Sequence, residues 1–445
     1  MKKYILSCGL LLAALCTQAQ GKWTLRQCVD YAVQNNIELK QQALNVKSAE
    51  IDLSTTKNSR LPSLSGSARQ SFDFGRSQSM ATGVYEDNKA SSTSFGLSSD
   101  MPLFTGFRIP NQTKADELNL KASIEGLKKA KENLELQVVS LYLDVLFKKE
   151  ILRAYQEQSA LSEQQVKQTQ ILVDAGKVPV SQLYDIKAQL AKDELNVTIA
   201  ENNLDLSLLD LSQALNLAAS DNFDIVEPNV DRALDNSISS ILPPDQVYQM
   251  ALGIKPHVKE AELKLESSNK SLKVAQSGYW PTLGLGLSYS NGFNHVYKDN
   301  YSNPAISRQL KNNQRQAISF SLSVPIFDRF VTRNRVRAAR LNIENQSLIL
   351  DNVKLALYKE IQQAFQSATA AQAKFTSTET ALEAAEKSFV YAQERYDIGK
   401  STVFELNEAQ TKLLTSRSEQ IQAKYDLIFR AKILDFYQGR EINID

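Results

Sequence analysis

Glu405 and Glu408 stand three residues apart in a segment of helical periodicity, which puts two carboxylates on one helix face. On a lone helix that is a solvated acidic edge. Two short motifs repeat each other, Asp174-Ala175-Gly176-Lys177 and Asp397-Ile398-Gly399-Lys400. A glycine at that point lets two antiparallel helices reverse, because it accepts positive φ. Little else could do chemistry. His257 lies beside Pro256, and His295 falls in the expected loop 291–315. A metal site needs several converging ligands, so no metal and no cofactor is expected. Nothing matches a phosphate loop, a nucleophile elbow or a CxxC pair. These residues point away from an enzyme and towards a conducting or scaffolding role.

The rest of the chain must explain what such motifs are for. Its 445 residues carry 51 basic and 50 acidic side chains, a balance with no footprint for nucleic acid. Lys2 and Lys3, an apolar run from Ile5 to Leu15 and the small-x-small pattern Thr17-Gln18-Ala19 read as a secretory signal over 1–19. Leu15 is larger than a lipidation signal wants before Cys16, so the sequence leaves lipidation open. Cys8 and Cys16 leave with the signal and Cys28 remains, so no internal disulfide is expected. No later run suits a spanning helix, and any membrane span must be built from strands.

The chain is written twice. Gly176 and Gly399 lie 223 residues apart, and the same shift carries Pro102 to Pro325, Phe104 to Phe327, Val138 to Ile361 and Leu183 to Leu406. The expected organisation is a first repeat over 20–218, a connector over 219–244 and a second repeat over 245–445. Each repeat reads as a helix (24–58; 245–277), two strands (62–74 with 93–104; 281–290 with 316–327), a long helix (108–174; 331–397), a turn and a final helix (179–217; 402–437). Ile361, Ala368, Phe375, Leu382, Phe389 and Tyr396 recur every seven residues, the seam of a supercoiled helix. A helix of that length reaches roughly 100 Å, far more than a globular core needs.

The strands alternate. Ile318, Phe320 and Leu322 are interleaved with serines, Leu285 and Leu287 with glycine and serine, and Phe95 and Leu97 share a face with Met101. One face suits lipid and the other water. The fold class is therefore α+β, mainly long coiled-coil helices with four transmembrane strands per chain. Four strands cannot close a barrel, since the smallest closed barrels use about eight. An open edge in lipid leaves backbone groups unpaired, so chains must associate, as two with eight strands or three with twelve. The rival reading is a periplasmic coiled-coil scaffold or adaptor without a pore.

From about residue 24 to 437 the chain resembles the TolC-like outer-membrane efflux proteins. The resemblance rests on the duplication, on the strand ends Met101-Pro102-Leu103-Phe104 and Val324-Pro325-Ile326-Phe327, and on Arg395-Tyr396-Asp397-Ile398-Gly399-Lys400 followed by Leu406. It implies a homotrimer with one twelve-stranded barrel in the outer membrane and a helical tunnel across the periplasm. It implies an exit duct that works with a periplasmic adaptor (membrane fusion) protein and an inner-membrane pump of RND or ABC type. Asp174, Gly176, Lys177, Val178, Asp397, Gly399, Lys400 and Ser401 would then be adaptor-docking tips. Tyr396, Glu405 and Glu408 would form the gate at the tunnel entrance, with the glutamates as cation-selecting rings. Serine stands at 401, near where the family places a basic gate partner.

Overall fold

The structure, a computed structural model of the chain, describes residues 22–78, 83–217, 223–229, 234, 242–298, 301–440 and 442. The expected signal over 1–19, Cys16 and most of the 219–244 connector lie outside the described residues. The chain divides into two compact units: one holds the chain up to Leu44, Glu125–Lys259 and the chain from Asn352, the other Asn45–Ile124 and Glu260–Asp351.

Helix α1 (Leu25–Asn35) opens on a capping box, in which Thr24 and Gln27 exchange side-chain-to-backbone bonds. The single helix expected over 24–58 is two, because Asn36 is extended and its Oδ1 accepts from the Leu39 N–H at 3.1 Å, starting α2 (Ile37–Asn58). In the second repeat the break falls at Lys255, between α5 (Pro244–Ile254) and α6 (Pro256–Gln276). Lys255 is extended, ψ 124°, as a residue before proline prefers to be.

Helices α3 (Arg108–Asp174) and α8 (Val331–Asp397) have 67 residues each; α4 (Val180–Ala214) and α9 (Val403–Tyr437) have 35 each. Their ends match the expected ones within three residues. The seven-residue ladder supplies buried positions in α8, with Ile361, Ala368, Phe375 and Phe389 inside, while α9 contributes Leu406, Leu427 and Leu434. A second cluster gathers Cys28, Val138, Tyr142, Leu211 and Ile225. There the Tyr142 hydroxyl donates to the Val226 carbonyl at 2.6 Å, tying α3 to the chain after α4.

The four strands, β1 (Ser65–Gln78), β2 (Tyr85–Thr105), β3 (Thr282–Val296) and β4 (Arg315–Ser323), form one antiparallel sheet in the order β1-β2-β3-β4. Three of them outrun the apolar alternation. His295 consequently sits in β3 and not in a loop, and the connection to β4 carries a short helix, α7 (Ile306–Asn312). Beyond Ser290, β3 has no β4 partner. Side-chain amides seal that edge instead. Gln309 bonds both the N–H and the carbonyl of Asn294, and Asn303 does the same at Val296, all within 2.9 Å. Covering a strand edge in this way removes a template for stray pairing.

Candidate functional site: tip turns and a two-faced sheet

Both turns end their long helix in the same way. The Gly176 N–H bonds the Val173 carbonyl and the Lys177 N–H reaches Leu172; Gly399 and Lys400 repeat this on Tyr396 and Arg395, all at 2.8–2.9 Å. This is the Schellman arrangement, which needs a left-handed residue. Gly176 has φ +68° and Gly399 φ +73°, and a Cβ at either would meet nothing within 4 Å. The requirement is conformational and not spatial. Asp174, Lys177, Asp397 and Lys400 are exposed, and Val178 and Ser401 are half-buried. Ile398 and Phe404 are also exposed, at 66% and 76%, and reading the sequence for polar turn residues passes over them. The only hint was one apolar residue inside a polar tetrad.

The three expected gate residues have different surroundings. Thr402 caps α9 by accepting the Glu405 N–H, and the Glu405 carboxylate accepts from Ser401 Oγ at 2.6 Å. Arg395, one turn before Gly399, lies 3.7 Å from the same carboxylate. Both groups are exposed, so the pair contributes little to stability. It nevertheless puts a basic group at the turn where Ser401 offers none. Glu408 is exposed in a shallow groove with Phe404, Thr411 and Lys412. The Tyr396 ring is half-buried, and its hydroxyl is buried without a hydrogen-bond partner among the described residues.

Further along the same helices runs a polar layer that sequence reasoning missed. Gln158, Ser162, Gln165 and Thr169 occupy buried positions of α3 at 4-3-4 spacing, which is a coiled-coil seam with polar occupants. Asp193 of α4 is 2% exposed, and its carboxylate accepts from Ser162 Oγ at 2.6 Å and from Gln189 Nε2 at 3.0 Å. Gln410 of α9 donates to Ser162 at 3.2 Å. The usable signal was the spacing, hidden because only apolar residues were traced along it.

Two charged clusters brace the segments around α3. Lys149 bonds Asp224 at 2.5 Å and lies 3.4 Å from Glu227, which Arg153 also holds at 2.9 Å. Partial burial works against both carboxylates, yet the hydrogen bonds from Lys149, Lys22 and Arg153 leave each below the usual carboxylate range. Lys255 is 3% exposed, with its ammonium 3.2 Å from Glu132 and stacked on the Phe436 ring. Burial pushes its pKa down, against the pull of Glu132.

Residues directly opposite in an antiparallel ladder share a face, so the register sorts the sheet. Phe95 pairs with Ala68 and Asn291, and Leu97 with Gly66 and Tyr289. Leu285 pairs with Met101 and Phe320, Leu287 with Ser99 and Ile318, and Leu283 with Leu322. Phe95, Leu97, Leu285, Leu287, Ile318, Phe320 and Leu322 therefore share one face. The other face carries Arg69, Asp73, Ser94, Gly96, Ser98, Asp100, Gly286, Ser288, Ser319 and Ser321.

A duplicated chain of long coiled-coil helices and a four-stranded sheet, with its large apolar side chains gathered on one face, has the make-up of an outer-membrane channel protein. The chain belongs to the outer membrane efflux protein family, whose profile matches residues 28–217 and 247–439. It is 22% identical over 442 residues to the outer membrane efflux protein BepC of Brucella suis biovar 1, covering 98% of this chain and 90% of that one. It is 22% identical over 447 residues to the outer membrane protein TolC of Escherichia coli K12, covering 96% and 84%. Crystal structures of CusC share the fold, with a TM-score of 0.77 at 17% identity over 94% of this chain and 92% of that chain.

Proposed function

We propose that the chain is the exit duct of a tripartite efflux or secretion system. Three copies set their four-stranded sheets edge to edge in the outer membrane, and their helices enclose a tunnel in the periplasm. The register carries this reading, because it gathers the large apolar side chains of β2, β3 and β4 on one face and leaves the other almost wholly to small, polar and charged residues. The duct performs no reaction of its own. Energy comes from an inner-membrane pump, of RND or ABC type, joined through a periplasmic adaptor. Asp174, Gly176, Lys177, Val178, Asp397, Gly399, Lys400 and Ser401 are the adaptor-docking positions, with Ile398 and Phe404 adding exposed apolar area beside them. Tyr396, Glu405 and Glu408 form the gate, in which Arg395 restrains Glu405.

The scaffold reading loses its support once the chain falls in an outer-membrane efflux family. Deletion tests the function. Loss of the chain should sensitise cells to at least one exported compound or abolish secretion of at least one protein. Unchanged sensitivity to every toxic compound together with unchanged secretion would sink the export role.

A further inference from the structure

The duplication breaks down where the second sheet pair enters its long helix. In both repeats the corner is made of two successive left-handed residues, Gly106 and Phe107 with φ 59° and 65°, and Arg329 and Phe330 with φ 55° and 63°. The backbone is thus the same while the side chains are not. Arg329, Arg333, Arg335, Arg337 and Arg340 stand where the first repeat has Gly106, Pro110, Gln112, Lys114 and Glu117. The first repeat builds this corner and helix without a basic cluster, so the fold does not require one.

All five arginines are exposed, and no acidic residue occurs from 329 to 343. Among the described residues none of the five forms an ion pair. The preceding acid, Asp328, caps α8 by accepting the Thr332 N–H at 2.7 Å. Thr332 and Val336 mark the buried side of α8, and Arg333, Arg337 and Arg340 form a stripe beside it at i, i+4, i+7. The stripe spans roughly 10 Å.

What precedes these charges says what they meet. The apolar face of β4 runs through Ile318, Phe320 and Leu322, and the chain just beyond the strand carries exposed Val324, Ile326 and Phe327, with Ile326 95% exposed. Phe330 follows, also exposed, with the Arg333 guanidinium over its ring. Apolar face, aromatic pair and unpaired guanidinium groups thus follow one another within a few residues. That is the order of hydrocarbon, interface and headgroup in a bilayer leaflet. Guanidinium groups bind phosphate in a bidentate fashion.

We propose that Arg333, Arg337 and Arg340, with Arg329 beside them, form a binding site for anionic phospholipid headgroups in the leaflet at this end of the strands. The proposal rests on the membrane reading of the sheet. It makes the second repeat the lipid-anchoring one and gives the chain a preference for acidic lipid.

The test uses the full chain in nanodiscs of phosphatidylethanolamine with equal parts of phosphatidylglycerol and phosphatidylcholine. Native mass spectrometry then counts the lipids retained after mild detergent extraction. Phosphatidylglycerol should be retained over phosphatidylcholine by on the order of tenfold. The preference should fall towards one in R333Q/R337Q/R340Q and survive in R333K/R337K/R340K, a pair that separates charge from folding. Equal retention of both lipids by the unmodified chain overturns the proposal, as does a preference untouched by the glutamine variant. Displacement by millimolar inorganic phosphate, with no lipid preference, marks a free-anion site and overturns it too. Insertion with equal retention defeats only this inference, whereas failure to insert into any nanodisc defeats the membrane reading as well.

Discussion

At the scale of single residues, the tip glycines separate conformation from space. A Cβ at Gly176 or Gly399 meets nothing within 4 Å, so a substitution feels only the left-handed φ. Gly399→Ala should therefore cost about 1 kcal/mol, and Gly399→Asn distinctly less, because asparagine tolerates that region. Circular dichroism melts of the three proteins would check this order, and an alanine variant as stable as the parent would contradict it. These glycines were legible in the sequence because turn chemistry is local. The Asp193 layer was not. Its members lie in helices where glutamine, serine and aspartate are ordinary surface residues, and only the three-helix packing shows that Ser162 and Gln410 are buried beside it.

At the scale of elements, period and punctuation explain what could be foreseen. The seven-residue ladder and the glycine turns place the ends of α3 and α8, since nothing in either helix interrupts the pattern. The strands were foreseen only where one face is apolar. Residues 85–92 and 291–296 pair just as well in the sheet, but they carry no apolar alternation to read. The breaks at Asn36 and Lys255 were missed for a different reason. Helical periodicity continues across both, and a single capping asparagine or one residue before proline is enough to interrupt it. The register makes a sharp prediction for β4. Phe320→Lys and Leu322→Lys each put a charge on the apolar face, at a cost of about 2–4 kcal/mol near the bilayer midplane. The double variant should be depleted from the outer-membrane fraction on membrane fractionation. Ser319→Lys and Ser321→Lys, on the opposite face, should assemble, and the reverse outcome would invert the sheet.

At the scale of the whole molecule, the carboxylates that brace α3 make stability depend on pH. Asp224 and Glu227 titrate below their ordinary values when folded, so they bind fewer protons folded than unfolded. Their contribution is present above the unfolded carboxylate pKa, near about 4, and is lost as pH falls through the lower folded values. Stability against denaturant should therefore fall below that pH, and Glu227→Gln should lower stability at neutral and alkaline pH while converging with the parent in acid, which flattens its acid limb. A parallel shift at all pH values would assign Glu227 a role in packing instead.

The central claim is that several copies of the chain enclose one conduit. Single-particle electron microscopy of protein extracted from the outer-membrane fraction tests it most directly. Three-fold particles with an open axis running through both sheet and helices are the predicted result. Rods of paired helices with no axial channel, or protein recovered only from the soluble periplasm, would contradict it.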